Sequence, residues 1–206
     1  LNEDISDTFG EGDEAVAFEN GKATIEIEGS GSKTIEGLPT GVTYTVVEAK
    51  VNGMDTTFTG DTGKISDELS EAVFENTRKT TELQITKKVV STTEADKDIA
   101  FEFTITLTDP DSSDAPVSGT FPVSGIDGTT EVTFSDEGTA TLSIKDGETA
   151  AITGLPAGVD YTVVETEEDG FVATAFGDEG TLCLVPSKAD FTNTKDEGGL
   201  IVSKNV

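Results

Sequence analysis

The sequence contains no histidine, no tryptophan and a single cysteine. Histidine is the commonest general base and metal ligand near neutral pH, so its absence removes most hydrolytic and zinc chemistry. One cysteine excludes an intrachain disulfide, and Cys183 within Leu182-Cys183-Leu184-Val185 reads as a packed thiol in a buried strand. Basic residues are also scarce: 13 Lys and Arg face 41 Asp and Glu, a net charge of −28. That balance excludes nucleic acid and anionic membranes as partners and gives a soluble, self-repelling surface. No apolar run is long enough to span a bilayer, so this stretch is expected not to insert into a membrane. No phosphate loop or nucleophile elbow is present, and no cofactor is expected. Asp109 to Asp114 is acidic but lacks the glycine and distal glutamate of a calcium loop, so no metal is expected there.

What the sequence does have is a repeat. Gly154-Leu155-Pro156-Ala157-Gly158-Val159-Asp160-Tyr161-Thr162-Val163-Val164-Glu165 matches the stretch from Gly37 to Glu48 at ten of twelve positions, 117 residues apart. A period of that size is close to a domain length, so two copies predict two domains in tandem. Each copy reads as a tight turn with Pro at its second position, feeding a β-branched and aromatic strand. Tyr161, Val163 and Glu165 alternate, so all three point to one face.

Elsewhere the chain alternates over short runs separated by Gly, Asp and Ser. In the first copy the expected strands are Ala23–Ile27, Tyr44–Val51 and Ala72–Thr77, with a hairpin or loop over residues 56–64. Arg78–Glu82 reads as a short polar linker. The second copy offers Leu83–Val89, Ile99–Leu107, Thr120–Val123, Glu131–Phe134, Ala140–Ile144, Ala150–Ile152, Tyr161–Thr166, Phe171–Phe176, Cys183–Val185 and Ala189–Thr194. No long helical period appears, which predicts an all-β sandwich. Leu200 to Val206 repeats the pattern of Leu83 to Val89, again 117 residues apart. The expected organisation is an incomplete sandwich over 1–78, a complete one over 79–196, and the first strand of a following repeat over 197–206. The first unit has no counterpart of residues 83–107, so the chain reads as a window cut from a longer array.

Three polar residues fall on apolar faces. Lys87 shares the face of Leu83 and Ile85, Glu165 that of Tyr161 and Val163, and Asn193 that of Phe191. Such side chains are poor core residues unless paired. Glu48 and Asn76 recur at the same offset, as does Lys204 with Lys87. Lys88 is the alternative to Lys87 if the register slips by one residue.

Three motifs occur in order: Leu-x-Ile-x-Lys, Gly-Leu-Pro-x-Gly-x-x-Tyr-Thr-Val-x-Glu and Phe-x-Asn-Thr. Together they resemble the isopeptide-linked domains of Gram-positive pilins and surface adhesins. These are the collagen-adhesin B-type (CnaB-type) fold and the T-antigen-like pilin repeats. The resemblance covers nearly the whole chain. It implies tandem immunoglobulin-like β-sandwich domains, with Lys87 bonded covalently to Asn193 and Glu165 promoting the reaction. Chemistry agrees, because burial favours the uncharged amine that attacks and an uncharged acid that polarises the Asn193 carbonyl. It further implies a structural, non-enzymatic module, extracellular and anchored to the cell wall or pilus of a Gram-positive bacterium. The expected partners are neighbouring repeats. Lys204 of another copy is a candidate to complement Glu48 and Asn76 by strand exchange, against the simpler reading of truncation. The alternative function is an adhesin domain that binds a host protein or glycan. Leu38-Pro39-Thr40-Gly41 is similar to a sortase signal but lacks the residue between Pro and Thr, and reads as a turn.

Overall fold

The computed structural model describes residues 1–2 and 4–205. The chain divides into two compact units: Leu1–Lys50 with Thr56–Asn76, and Val51–Asp55 with Thr77–Val206. The protein is nearly all β.

The first unit is built from two-stranded ladders. β1 (Thr8–Phe9) pairs with β2 (Val16–Ala17), and β3 (Thr43–Thr45) runs antiparallel to β5 (Thr62–Lys64). β4 (Met54–Thr59) pairs with β6 (Val73–Arg78). Several sequence expectations are corrected here. Ala23–Ile27 is not a strand, and the strand expected over Tyr44–Val51 is confined to Thr43–Thr45. Alternation makes a strand only where a neighbour completes the ladder, and no ladder among the described residues reaches Ala23–Ile27.

The second unit contains two packed sheets. One runs in the order β11 (Glu131–Phe134), β10 (Gly119–Ser124), β13 (Thr149–Pro156), β7 (Thr80–Val90), β17 (Ser187–Lys195), β15 (Phe171–Phe176). The other runs β12 (Thr139–Ile144), β8 (Phe101–Asp109), β14 (Asp160–Glu165), β16 (Glu179–Thr181), with β9 (Ala115–Pro116) beside β8. Strict period-two alternation buries one face of the central strands, whereas β15 and β16 bury no residue. On β7 the buried positions are Thr81, Leu83, Ile85, Lys87 and Val89; on β8 they are Phe101, Phe103, Ile105 and Leu107. Phe103 of one sheet meets Phe191 of the other edge to face, with centroids 4.9 Å apart. Each fully buried Leu, Ile or Phe contributes roughly 1.5–3 kcal/mol. The first and last long strands, β7 and β17, are parallel neighbours, with Phe191 opposite Lys87 and Asn193 opposite Val89. Parallel neighbours require a crossover connection, and here the connection is nearly the whole unit.

The polar residues 78–82 are not a linker. β6 ends at Arg78 and β7 begins at Thr80, leaving only Lys79 between them. Thr80, Thr81 and Glu82 pair with Pro156, Leu155 and Thr153 of β13. Arg78 donates to the Ala157 carbonyl at 3.0 Å and to Asp109 at 2.7 Å. Polarity here reflects exposed ladder positions and an ion pair, not chain freedom. The Gly-Leu-Pro motif also differs from the expected turn. Strand β13 runs through Pro156, a register shift at Gly154 (φ 79°) forms a bulge, and the turn falls at Ala157-Gly158. Leu182–Val185 is not a strand, and Cys183 is exposed. Leu182 is the residue drawn inward: its amide donates to Val159 O and its carbonyl accepts from Gly158 N, so its neighbour faces out. Residues 197–205 lie in no strand, and Val206, part of the same expectation, falls outside the described residues.

The repeat has a structural signature beyond strand order. The Tyr44 hydroxyl donates to Gly60 O at 3.1 Å, and the Tyr161 hydroxyl to Gly177 O at 2.9 Å, the same pair 117 residues on. Gly177 has φ 69°, and a Cβ there would sit 2.2 Å from the Lys188 carbonyl oxygen. Gly147 has φ 78° but open space around a Cβ. Gly177→Ala therefore combines left-handed strain with a backbone collision, whereas Gly147→Ala carries the strain alone, on the order of 1 kcal/mol. Urea midpoints of the two variants should fall in that order, with Gly177→Ala clearly the less stable.

Candidate functional site

Lys87, Glu165 and Asn193 meet in the core of the second unit. Strand β7 carries Lys87 inward in step with Leu83 and Ile85, while Lys88 faces solvent. The Lys87 backbone is held at the sheet end by its amide to Glu148 O (3.1 Å) and by Gly147 N to its carbonyl (2.9 Å). Asn193 projects from the adjacent parallel strand, one diagonal step from Lys87. Glu165 comes from β14 in the opposite sheet, where it stands opposite Phe103 of β8. Two strands of one sheet thus present Lys and Asn, and the facing sheet presents the carboxyl group.

The cluster is dry. Lys87 is 0% exposed and Asn193 1%. The Lys87 Nζ donates to Glu165 Oε1 at 2.6 Å, and Asn193 Nδ2 donates to the same oxygen at 2.6 Å. Phe101 covers the ammonium face-on, with Nζ 3.9 Å from its centroid, and Phe103 lies at 5.7 Å. Burial pushes the Lys87 pKa down; the Glu165 hydrogen bond and charge, and more distantly Asp146, oppose this without cancelling it.

Among the described residues, two buried acceptors in this cluster have no hydrogen-bond partner, Glu165 Oε2 and Asn193 Oδ1. An orphaned buried polar atom costs roughly 1–3 kcal/mol. Burial favours the uncharged form of Lys87, which lies one diagonal step from the Asn193 carboxamide. Attack of Nζ on Cγ, with Nδ2 leaving as ammonia, is the chemistry such an arrangement permits.

The first unit holds part of the same arrangement. Asn76 Nδ2 donates to Glu48 Oε1 at 2.7 Å, the same atoms paired as in Asn193 and Glu165, but both residues are exposed. Here the carboxamide oxygen is satisfied, because Thr56 Oγ1 donates to Asn76 Oδ1 at 2.6 Å. Lys204 is exposed and lies in no strand. Sequence reasoning missed the aromatic shell of Phe101 and Phe103, although their alternation had placed them in the core. It also missed Thr56. The equivalent position in the second unit is Ala173, which stands opposite Asn193 in the ladder. Comparing the two repeats around each Asn would have found that difference.

Residues 1–78 and 81–195 each match one family model, a domain of unknown function (DUF7601). The chain belongs to that family. The pilus tip adhesin Cpa of Streptococcus pyogenes is 35% identical over 116 residues, covering 53% of this chain. The chain spans only 16% of the length of that adhesin. The major pilin of Streptococcus pyogenes superposes with a TM-score of 0.52 at 21% identity, over 72% of this chain and 66% of the pilin. A second major pilin of that species (T3.2) gives 0.53 at 18% identity, over 92% and 86%. The likeness to these pilins is one of fold: both are built as all-β sandwiches.

The lowered Lys87 pKa has a defined sign in stability. In Asn193→Ala the amine stays free, and above its folded pKa the native state binds fewer protons than the unfolded chain. Stability then rises with pH toward the ordinary lysine value. Urea midpoints of Asn193→Ala should increase from neutral to alkaline pH relative to the double variant Lys87→Met/Asn193→Ala, which lacks the titrating amine.

Proposed function

We propose that the chain is a structural module of a Gram-positive surface pilus or adhesin stalk, and that its second unit closes itself with an amide between Lys87 and Asn193. The observation that carries this reading is the dry Lys87–Glu165–Asn193 cluster with its two unpaired acceptors. Neutral Lys87 Nζ attacks Asn193 Cγ. The Cγ–Nδ2 bond breaks, ammonia leaves, and Glu165 carries one proton from the attacking to the departing nitrogen. The reaction occurs once in each molecule, so the module is not an enzyme. An amide replaces a buried ammonium, and the desolvation penalty on that charge disappears.

Support for the setting comes from the pilus tip adhesin that shares sequence with this chain and from the pilins that share its fold. Surface display on a cell wall or pilus, with neighbouring pilus subunits as partners, fits a disulfide-free sandwich whose first and last strands lie side by side.

Intact mass tests the reading. The purified chain should weigh less than its sequence by one ammonia, and Lys87→Ala or Asn193→Ala should restore the full mass. Lys88→Ala should keep the loss, and Glu165→Ala should slow or abolish it. By analogy with a disulfide closing a loop of about 100 residues, losing the bond should lower unfolding free energy by on the order of 4–5 kcal/mol. An unmodified wild-type mass would overturn the mechanism.

A further inference from the structure

Lys87 lies where β7 runs out of backbone partner on one side. The ladder with β13 ends at Thr149, opposite Thr86, while β7 continues to Val90. The turn that precedes β13 takes over. Lys87 uses two backbone groups of that turn, Glu148 O and Gly147 N. Two residues on, the Val89 amide points the same way and meets a side chain instead: it donates to Asp146 Oδ1 at 2.7 Å. We propose that Asp146 is a positioning residue for amide formation between Lys87 and Asn193, holding through Val89 the strand end on which the amine meets the carboxamide. This rests on the lysine–asparagine chemistry proposed for Lys87 and Asn193.

Val89 is the point at which the two residues are referred to one another. It is the register partner of Asn193 in the ladder between β7 and β17, and it follows Lys87 on the same buried face. Val89 is 5% exposed, so without Asp146 its amide would be a buried donor in need of a partner. Relief would come from shifting the end of β7 or admitting water, and either change disturbs Lys87. A misplacement of about 1 Å between reacting groups can cost on the order of 100-fold in rate.

The turn is braced to present this carboxylate. Glu148 Oε2 accepts from Lys145 N at 2.8 Å, and Oε1 accepts from Asp127 N at 3.2 Å, in the loop between β10 and β11. Gly147 supplies the left-handed residue, with φ 78°. The turn itself does not call for an aspartate. In the other repeat, where Ile27 matches Ile144, the residue 117 positions before Asp146 is Gly29.

Asp146 also carries charge toward the amine. Burial pushes the Lys87 pKa down, and Glu165, ahead of Asp146, pushes it back up. Attack needs uncharged Nζ, so the charge of Asp146 restrains the reaction at low pH while its hydrogen bond supports it. The other charged groups at this end of the unit are Lys97, which pairs with Glu94 in the 3-10 helix Glu94–Asp98 and also feels Asp146, Lys145 and Glu148 of the turn, and the Lys195–Asp96 pair beyond Asn193. Asp146→Asn keeps an acceptor oxygen and removes the charge, whereas Asp146→Ala removes both.

The test follows bond formation in the full 206-residue chain. Protein made insoluble and dissolved in urea before it has folded is diluted into buffers from mildly acidic to alkaline pH. Samples are quenched in acid and weighed for loss of ammonia, while circular dichroism follows folding. Asp146→Ala should regain the β signal but lose ammonia about tenfold or more slowly than the wild type. Asp146→Asn should recover the wild-type plateau rate, and the pH at which its rate rises should move toward acid. A residue that only stabilised the turn would leave that pH unchanged. Where Asp146→Ala does not regain the β signal, the shift in Asp146→Asn decides. Folded Asp146→Ala that reacts at the wild-type rate would overturn this proposal and leave the Lys87–Asn193 reading standing. An Asp146→Asn variant with the wild-type pH profile would do the same. Wild-type chain that folds and never loses ammonia would overturn both.

Discussion

An ammonium without water is the constraint on which the second unit is built. Lys87 is taken entirely out of solvent, against two phenylalanine rings, with one carboxylate to hold it. Removing a single partner from such a pair typically costs 3–5 kcal/mol, because the remaining charge has no alternative solvation. The sheet architecture follows from keeping the group supplied with partners. Asn193 has to lie on the strand beside Lys87, and Glu165 has to arrive from the facing sheet at the same depth. Both depend on register, since a slip of one residue on any of the three strands would turn its polar group outward.

The two units show how much of this is local and how much is collective. The Glu–Asn hydrogen bond forms in both, at 2.7 Å and 2.6 Å. It depends on the chain that follows the Gly-Leu-Pro motif meeting the closing strand, which happens in both units even though Glu48 lies beyond the end of β3. Burial is the collective part. It arises where β7 and β8 complete the sheets and the Phe101 and Phe103 rings close over the cluster. The same pair of side chains is an exposed surface contact in one unit and a dry cluster in the other.

Much of the fold was legible in the sequence because period-two alternation is strict on the central strands of the second unit, β7 and β8 above all. That alternation separated Lys87 from Lys88, and the 117-residue repeat singled out Glu165 and Asn193. What was not legible depends on partners distant in sequence. The phase at Leu182 and Cys183 is set by two hydrogen bonds to residues 158 and 159, which a scan of a four-residue apolar run cannot see. Gly154 looked like part of a turn because a bulge and a turn share the same glycine signal. Thr80 to Glu82 looked like a linker because exposed ladder residues and linker residues have the same composition. Ala23 to Ile27 alternates as a strand should, yet strand character belongs to a ladder rather than to a segment.

The parallel adjacency of β7 and β17 also governs what happens to length. Load that enters at the start of β7 and leaves at the end of β17 meets these strands in shear, so their eight register pairs resist together rather than one at a time. Were Lys87 joined to Asn193 as proposed, the chain between them would be bypassed altogether. At 3.3–3.6 Å per extended residue, about 350 Å of contour would be withheld from the loaded path. Units closed in this way would hold their length under tension instead of unravelling into a long slack tether.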